Sequence, residues 1–267
     1  MLGKWISLSA ISCAICASVI AEWPAPTSDI DIYPSAKRVP ENLLRIYLYF
    51  PRPMGGEISE SDIRLIGPGG EEIAQAFLPM RFELWSSDRR RLTLILDPGR
   101  GKTGLASHER LGRALEVGDG FELRVSGALE DSTGCVLGED SAFGFSVRTA
   151  DLDALLPQTW SIDVPVVGTR AALKVDLGRP HDHLSMAYRI RIQGGDGEPI
   201  AGRIGLDQHE RVWVFVPRDP WSASVHTIVI DDRLEDLAGN RPGIAFDRIS
   251  DAAKESWARE ITFVPLP

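Results

Sequence analysis

Short apolar segments with alternating side chains run through most of the chain, and they constrain its fold more than any other feature. They lie at residues 44–50, 62–66, 72–78, 81–85, 92–96, 121–125, 143–147, 173–177, 188–192, 200–206, 212–216, 225–230 and 260–264. Alternation with a period of two is typical of strands with one buried face. One short stretch, 249–257, has helical spacing instead. The sequence therefore predicts an all-β protein.

The second half of the chain repeats landmarks of the first half in the same order. The landmarks are a strand ending in Arg-Pro, a strand stopped by proline, and an acidic turn with a glycine, found at 46–53, 91–98 and 129–134 and again at 173–180, 211–217 and 234–240. Proline ends these strands because it has no N–H to donate to a ladder. Matched landmarks in one order indicate a duplicated unit. We expect two β-sandwich domains, at residues 22–149 and 150–267.

The turn at 236–240 reads Asp-Leu-Ala-Gly-Asn and precedes the final strand. With the Arg-Pro strand end, it resembles the bacterial immunoglobulin-like domains of the S-layer SbsA type. The first copy, at 131–134, lacks the asparagine. The resemblance covers most of residues 30–267 and implies two tandem immunoglobulin-like β-sandwiches in an extracytoplasmic bacterial protein. It implies no catalytic residues.

The N-terminus differs from the rest of the chain. Lys4 precedes an apolar run from Trp5 to Ile20, and a proline-rich stretch follows Ala21. This pattern is typical of a cleaved secretory signal at residues 1–21. The run is shorter than the ~20 residues that cross a bilayer as a helix. We expect cleavage near Ala21 and a periplasmic or extracellular protein with no transmembrane span in the mature chain.

Cysteine content and charge exclude several classes of function. Cys13 and Cys16 lie in the predicted signal, so Cys135 is the one cysteine of the predicted mature chain. An internal disulfide and a cysteine-based zinc or iron–sulfur site are therefore excluded. The net charge of −9, without a basic stripe, argues against a nucleic-acid partner.

Antiparallel strands bring alternate loops to the same end of a sandwich, where binding sites are common. In the second domain these loops are 178–187, 207–210 and 231–241. We expect their polar residues to cluster on one face: His181, Asp182, His183, His209, Asp231, Asp232 and Asp236. In the first domain the equivalent loops are 52–61, 86–90 and 126–140.

A metal site is an alternative that this cluster leaves open. His181, His183 and His209 form the one constellation suited to a transition metal such as zinc or copper. Histidines also occur in surface loops by chance, so the sequence assigns no metal site. The spacing from Asp231 to Asp236 fails the calcium-loop pattern, and we expect these carboxylates to cap turns.

Other candidate motifs predict structure rather than catalysis. The stretch 98–103 lacks the first glycine of a phosphate loop, since Leu96 stands there, and no Gly-x-Ser-x-Gly elbow is present. His226 lies where sandwich domains place the tyrosine of a tyrosine corner, and we expect it to bond to the backbone. The long connection 97–119 is expected to pack down. Four tryptophans are candidate sugar platforms, of which the last two are expected in the packing: Trp85, Trp160, Trp213 and Trp221.

These patterns predict a structural or interaction module of the bacterial cell envelope with a protein partner, no cofactor and no catalytic activity. An extracytoplasmic small-ligand or carbohydrate binder is the first alternative, and an exposed tryptophan pair or a concave sheet would favour it. Metal binding through His181, His183 and His209 is the second.

Overall fold

The structure is a computed structural model, and it describes residues 30–59, 61–79, 84–96, 113–246 and 257–267. The predicted signal, residues 97–112 of the long connection and residues 249–256 of the helical stretch lie outside this part of the chain.

The described residues form an all-β protein, as predicted. Its strands are β1 (Asp31–Tyr33), β2 (Arg38–Pro40), β3 (Arg45–Tyr49), β4 (Ile63–Ile66), β5 (Arg91–Ile95), β6 (Gly118–Val125), β7 (Ser141–Arg148), β8 (Ser161–Asp163), β9 (Leu173–Asp176), β10 (Ile190–Gln193), β11 (Gly202–Asp207), β12 (Val212–Pro217), β13 (His226–Ile230) and β14 (Glu260–Phe263). A 3₁₀ turn, Pro157–Thr159, precedes β8, and one short α-helix, α1 (His183–Arg189), precedes β10. Within the described ranges no helix is long and apolar enough to span a bilayer.

Strands β1 to β7 form two sheets around one core. One sheet has the order β1-β3-β5, and the other has the order β2-β7-β6-β4 with β2 parallel to β7. Burial alternates along β5, as a period of two requires. Leu48, Leu92 and Leu123 are fully buried in the core between the sheets.

Strands β8 to β14 form a second pair of sheets, β11-β12-β9-β8 and β10-β13-β14. Their core contains Trp213, whose ring stacks on Phe215 at 5.8 Å and whose indole N–H donates to the carbonyl of Met186 at 3.1 Å. The buried residues separate into one cluster for each half, except that Leu237 of the second half packs into the first cluster.

The two halves repeat the same backbone hydrogen bonds. The amide of Gly55 donates to the carbonyl of Glu130 at 3.0 Å, and the amide of Asp182 donates to that of Glu235 at 3.0 Å. The amide of Met54 donates to the carbonyl of Arg89, and in the second half the amide of His181 donates to the carbonyl of Glu210. In the same way, the amide of Phe50 donates to the carbonyl of Arg90, and the amide of Leu177 donates to the carbonyl of Arg211. Arg90 is thus the counterpart of Arg211, so the matched landmark of the first half begins one residue earlier than the predicted range 91–98.

The segment from 178 to 192 differs from its prediction as a loop followed by a strand. Helix α1 begins there because Asp182 caps it, with Oδ1 accepting the amide of Ser185 at 2.9 Å. Met186 and Ala187 are buried, which anchors this short helix through packing.

Short segments account for the other differences. Strands β1, β2 and β8 have three residues each, too few for alternation to be recognised. The predicted strand at 72–78 makes only isolated bridges, at Glu72 and Phe77.

Candidate functional site at the junction of the two halves

The loops predicted to share one end of the second half do come together, and four of their polar residues are buried: His181, Asp182, His183 and Asp236. The amide of His181 donates to the carbonyl of Glu210 at 2.9 Å, and a β-bridge joins His181 to Asp236. His181 is 0 % exposed and Asp236 is 1 % exposed. The expectation of an open polar face is wrong because the β1-β3-β5 sheet of the first half covers much of it.

Tyr47 and Asp182 form the most buried polar contact across this junction. The hydroxyl of Tyr47 donates to Oδ2 of Asp182 at 2.7 Å. Burial raises the pKa of Tyr47 well above its ordinary value, and the carboxylate of Asp182 raises it further. Burial also raises the pKa of Asp182, although the nearby Arg45 opposes the shift. Asp182 therefore has two structural tasks, since it also caps α1.

A chain of charges runs beside this contact. The guanidinium Nη1 of Arg45 lies 2.6 Å from Glu235 Oε2 and 3.6 Å from Asp182 Oδ2. The other oxygen of Glu235 accepts bonds from Arg241 at 2.9 and 2.5 Å. Burial alone would raise the pKa of Glu235, but the charges of Arg45 and Arg241 hold it below the ordinary value. Glu235 is therefore ionised and joins arginines from both halves.

Ser35 and Glu210 form a third contact across the junction. The amide of Ser35 donates to Oε2 of Glu210 and its hydroxyl donates to Oε1, both at 2.8 Å. Burial raises the pKa of Glu210, while these bonds oppose the shift. Gln208, His209 and Glu210 all have positive φ, at 50°, 56° and 59°. Such left-handed backbone is unfavourable for side chains other than glycine, so the surrounding contacts must hold it.

His183 is sandwiched between aromatic rings and the Glu210 carboxylate. Its ring stacks on Tyr33 with centroids 3.7 Å apart, and its Nδ1 lies 4.0 Å from Glu210 Oε1. Burial lowers the pKa of His183 to about 3, helped by the charge of Arg91. Burial raises the pKa of Tyr33 to about 12. Both rings are therefore neutral at pH 7.

The turn at Asp236 ties the same region together. Its Oδ1 accepts the amides of Ala238 and Asn240 at 2.9 Å each, as expected of a turn-capping carboxylate. Its Oδ2 lies 2.8 Å from the guanidinium of Arg179. Burial raises the pKa of Asp236 to about 6, although Arg179 opposes the shift.

The connection between the halves is hydrogen-bonded to both. The carbonyl of Asp151 accepts from the side-chain amides of Asn42 at 2.9 Å and Asn240 at 3.0 Å. Its carboxylate pairs with Arg148. The amide of Leu44 donates to the carbonyl of Leu237 at 2.9 Å. The backbone is therefore tied across the junction on both sides of the connection.

The three histidines proposed for a metal have separate surroundings. His181 donates through Nδ1 to the carbonyl of Arg179 at 2.8 Å, His183 stacks on Tyr33, and exposed His209 lies 3.1 Å from the Ser35 hydroxyl. No three His, Cys, Asp or Glu side chains in the described part of the chain form a group that could hold a metal ion. The geometry therefore does not favour metal binding here.

The remaining residues of the predicted cluster lie at its edge. Asp231 accepts Arg233 through both carboxylate oxygens, at 3.0 and 2.9 Å, and Arg189 at 3.3 Å. Asp232 is exposed. Neither residue takes part in the contacts across the junction that are described above.

Two other sequence predictions concern packing. His226 donates through Nε2 to the carbonyl of Ser222 at 3.2 Å, which is the predicted bond to the backbone. Trp213 and Trp221 are buried, as expected. Trp85 and Trp160 are half-buried, and none of the tryptophans in the described ranges is exposed. An exposed tryptophan pair is therefore absent from this part of the protein.

Sequence reasoning missed the first half's share of the junction, namely Tyr33, Ser35, Arg45 and Tyr47. One signal was present, because residues 46–50 are apolar or aromatic at every position. A strand without alternation is typical of burial on both faces. The outward face of β3 is thus the one that packs against the second half.

Comparisons with known proteins identify no family. No family model and no curated protein matches the chain. One solved structure with some similarity is described as "Crystal structure of mouse coronavirus receptor-binding domain complexed with its murine receptor". It is 10% identical, covers 76% of this chain and 91% of that chain, and has a TM-score of 0.17. A TM-score this low carries no argument about fold or function.

Proposed function

We propose that the chain is a structural or interaction module of the bacterial cell envelope, made of two tandem immunoglobulin-like domains after a cleaved secretory signal. The strand order of the second half supports this fold. When β8 to β14 are lettered A to G, the two sheets become A-B-E-D and C-F-G. This is the order of constant-type immunoglobulin domains.

The observation that carries the proposal is the buried polar junction. Domains of one chain ordinarily move relative to one another unless their interface is extensive. Here the buried pair of Tyr47 with Asp182 and the partly buried pair of Ser35 with Glu210 bridge the halves. Separating such a pair while one group stays buried costs several kcal/mol, on the order of 3–5 for a charge. The junction therefore favours a rigid two-domain unit, which suits a spacer or a display module.

The proposed partner-binding surface is the loop end of the first half. Its loops are 52–61, 86–90 and 126–140. They are the counterparts of the loops that the second half uses to dock on the first. Loop ends of sandwiches are common sites of protein recognition. Catalysis and a cofactor are not part of this proposal.

Rigidity is the first property to test, in the full chain carrying Cys13→Ser, Cys16→Ser and Cys135→Ser. Spin labels at the exposed positions Ser87 and Asp219 report the distance between the halves by pulsed electron resonance. We expect one narrow distance distribution. A control pair within one half, at Asp219 and Asp196, gives the width that a rigid body produces. A broad or multiple distribution for the first pair alone would refute the rigid unit.

Location is tested separately by expressing the full chain in a bacterial host and fractionating the cells. We expect a processed protein that begins near residue 22 in the periplasmic or extracellular fraction. An intact N-terminus in the cytoplasm would contradict the envelope assignment.

A further inference from the structure

A surface cleft beside the junction has a composition unlike the rest of this acidic protein. Its volume is about 200 Å³. It lies between the loop after β13 and the residues that enter β14. Its lining includes three arginines and two apolar side chains: Arg233, Arg241, Arg259, Ile244 and Trp257. One carboxylate, Asp232, also contributes to it. The chain as a whole carries a net charge of −9, so this concentration of arginine is unusual.

Two of the arginines are held in place by carboxylates behind the cleft. Arg241 uses Nε and Nη2 to bond one oxygen of Glu235 at 2.9 and 2.5 Å. Arg233 uses the same two groups to bond Asp231 at 3.0 and 2.9 Å. Both ion pairs leave the Nη1 groups available. The side chain of Arg241 is 47% exposed and that of Arg233 is 61% exposed. Each guanidinium is therefore oriented and still has donors for a ligand.

The third arginine is oriented by an aromatic ring. The guanidinium carbon of Arg259 lies 5.3 Å from the centroid of Trp257, in a cation–π arrangement. Its backbone carbonyl accepts the amide of Ile230 at 2.9 Å, which ties it to β13. Arg259 has no ion pair with a carboxylate of the described residues. A guanidinium stacked in this way keeps its edge donors free for a two-pronged contact with a carboxylate.

The cleft also has an apolar component and a restricted size. Ile244 is 42% exposed at its rim, and Trp257 is half-buried. Its volume is below the ~300–1,000 Å³ typical of sites for drug-sized ligands. The occupant is thus a small molecule, or one residue of a longer chain. The guanidinium of Arg259, which has no ion pair with a carboxylate of the described residues, also attracts anions locally.

We propose that this cleft binds a small organic carboxylate, of the kind presented by a uronic-acid residue of an acidic glycan. The carboxylate bonds the edge donors of Arg259 and Arg241, and the carbon skeleton contacts Ile244 and Trp257. The site goes beyond the structural role proposed above, because a rigid spacer needs no ligand. Binding and rigidity can therefore fail independently.

Calorimetric titration of the full chain tests the ligand class with three probes: glucuronate, glucose and inorganic phosphate. We expect saturable binding of glucuronate, no detectable binding of glucose, and phosphate binding at least tenfold weaker than glucuronate. Glucose binding as well as glucuronate would overturn the role of the charge. Phosphate binding as tightly would overturn the organic ligand and leave a general anion site. Absence of saturation by glucuronate would overturn the site altogether.

Variants locate the binding in this cleft. Arg259→Met removes the guanidinium and is expected to weaken glucuronate binding at least tenfold. Arg259→Lys keeps the positive charge but lacks the paired N–H donors of a guanidinium, and it should give an intermediate loss of affinity. Arg218→Met removes an exposed arginine paired with Asp219 elsewhere and should leave binding unchanged. Near-ultraviolet circular dichroism confirms that each variant is folded. Unchanged binding by folded Arg259→Met would place the ligand elsewhere and refute the assignment.

Discussion

The guanidinium of Arg179 lies 2.8 Å from Asp236, and in the first half Arg52 lies 3.0 Å from Asp131 in the same way. Each pair joins two landmarks that are far apart in sequence, the Arg-Pro strand end and the acidic turn. Both aspartates also accept the amides of the residues two and four positions later, at 2.8 to 3.0 Å. The landmarks that revealed the repeat are thus parts of one structural unit.

Arg179→Met is expected to destabilise the protein more than Arg52→Met. Burial raises the pKa of Asp236, so removing Arg179 leaves a poorly solvated charge, at a cost of about 3 kcal/mol. Hydrogen bonds from Thr133 lower the pKa of Asp131, and Arg52 is 44% exposed, so the loss of Arg52 should cost less. Urea unfolding, monitored by circular dichroism, measures the loss of unfolding free energy in each variant. Equal losses would contradict the difference between the two sites.

Tyr47→Phe should lower the free energy of unfolding by about 1–3 kcal/mol, because it leaves the buried Asp182 carboxylate without one of its donors. The ring itself is kept, so packing changes little. Tyr188→Phe is the matched control, since Tyr188 is 65% exposed. The two melting curves are compared at pH 7. A loss no larger than that of the control would show that the Tyr47–Asp182 bond contributes nothing.

His183→Phe should reduce the loss of stability on acidification. The pKa of His183 is lowered to about 3 in the folded protein, from an ordinary 6.5. The unfolded chain therefore binds a proton at higher pH than the folded one, and stability falls as the pH drops below about 6.5. Between pH 7.5 and 5 this amounts to about 2 kcal/mol. A phenylalanine can keep the stacking on Tyr33 but cannot bind a proton.

Comparing His183→Phe with wild type cancels the effect of two carboxylates whose protonation changes stability in the opposite direction. Asp182 and Glu210 have raised pKa values, so their protonation favours the folded state as the pH falls, and they are present in both proteins. Denaturant titrations at pH 7.5 and 5 give the change in unfolding free energy between these pH values for wild type and for His183→Phe. His209→Gln, which alters an exposed histidine, serves as the control. Identical pH dependence of wild type and His183→Phe would disprove a buried neutral imidazole.

Gln208→Gly is expected to stabilise the protein by about 1 kcal/mol, against the usual effect of adding glycine. Gln208 is exposed and has a φ of 50°, a conformation that glycine adopts without steric penalty. Arg203→Gly in β11, where φ is not positive, should instead destabilise by about 0.5–1 kcal/mol. Thermal melts of the two variants distinguish the effects. A lower melting temperature for Gln208→Gly would contradict strain at this turn.

Local chemistry explains which parts of the fold were predictable. The alternation in β5 and β12, the proline stops and the capping of the turn by Asp236 all depend on near neighbours in sequence. Helix α1 was missed because its few residues are anchored by Met186 packing in the core. The acidic and histidine loops were correctly grouped at one end, since antiparallel strands require it.

Their exposure could not be predicted in the same way. Nothing near His183 or Glu210 in sequence shows that Tyr33 and Ser35, about 150 residues or more earlier, lie against them. The same separation hides the pairing of Tyr47 with Asp182. These contacts arise from how the two halves pack, and that packing depends on the summed shape and charge of two surfaces.

The sequence by itself determined the all-β character and the capped turns, because each follows from side-chain periodicity and backbone chemistry over a few residues. The tertiary structure alone decided that the polar end of the second half is an internal junction and that three arginines border one cleft. The physical reason is that burial and charge pairing depend on contacts between distant segments, which no local pattern records.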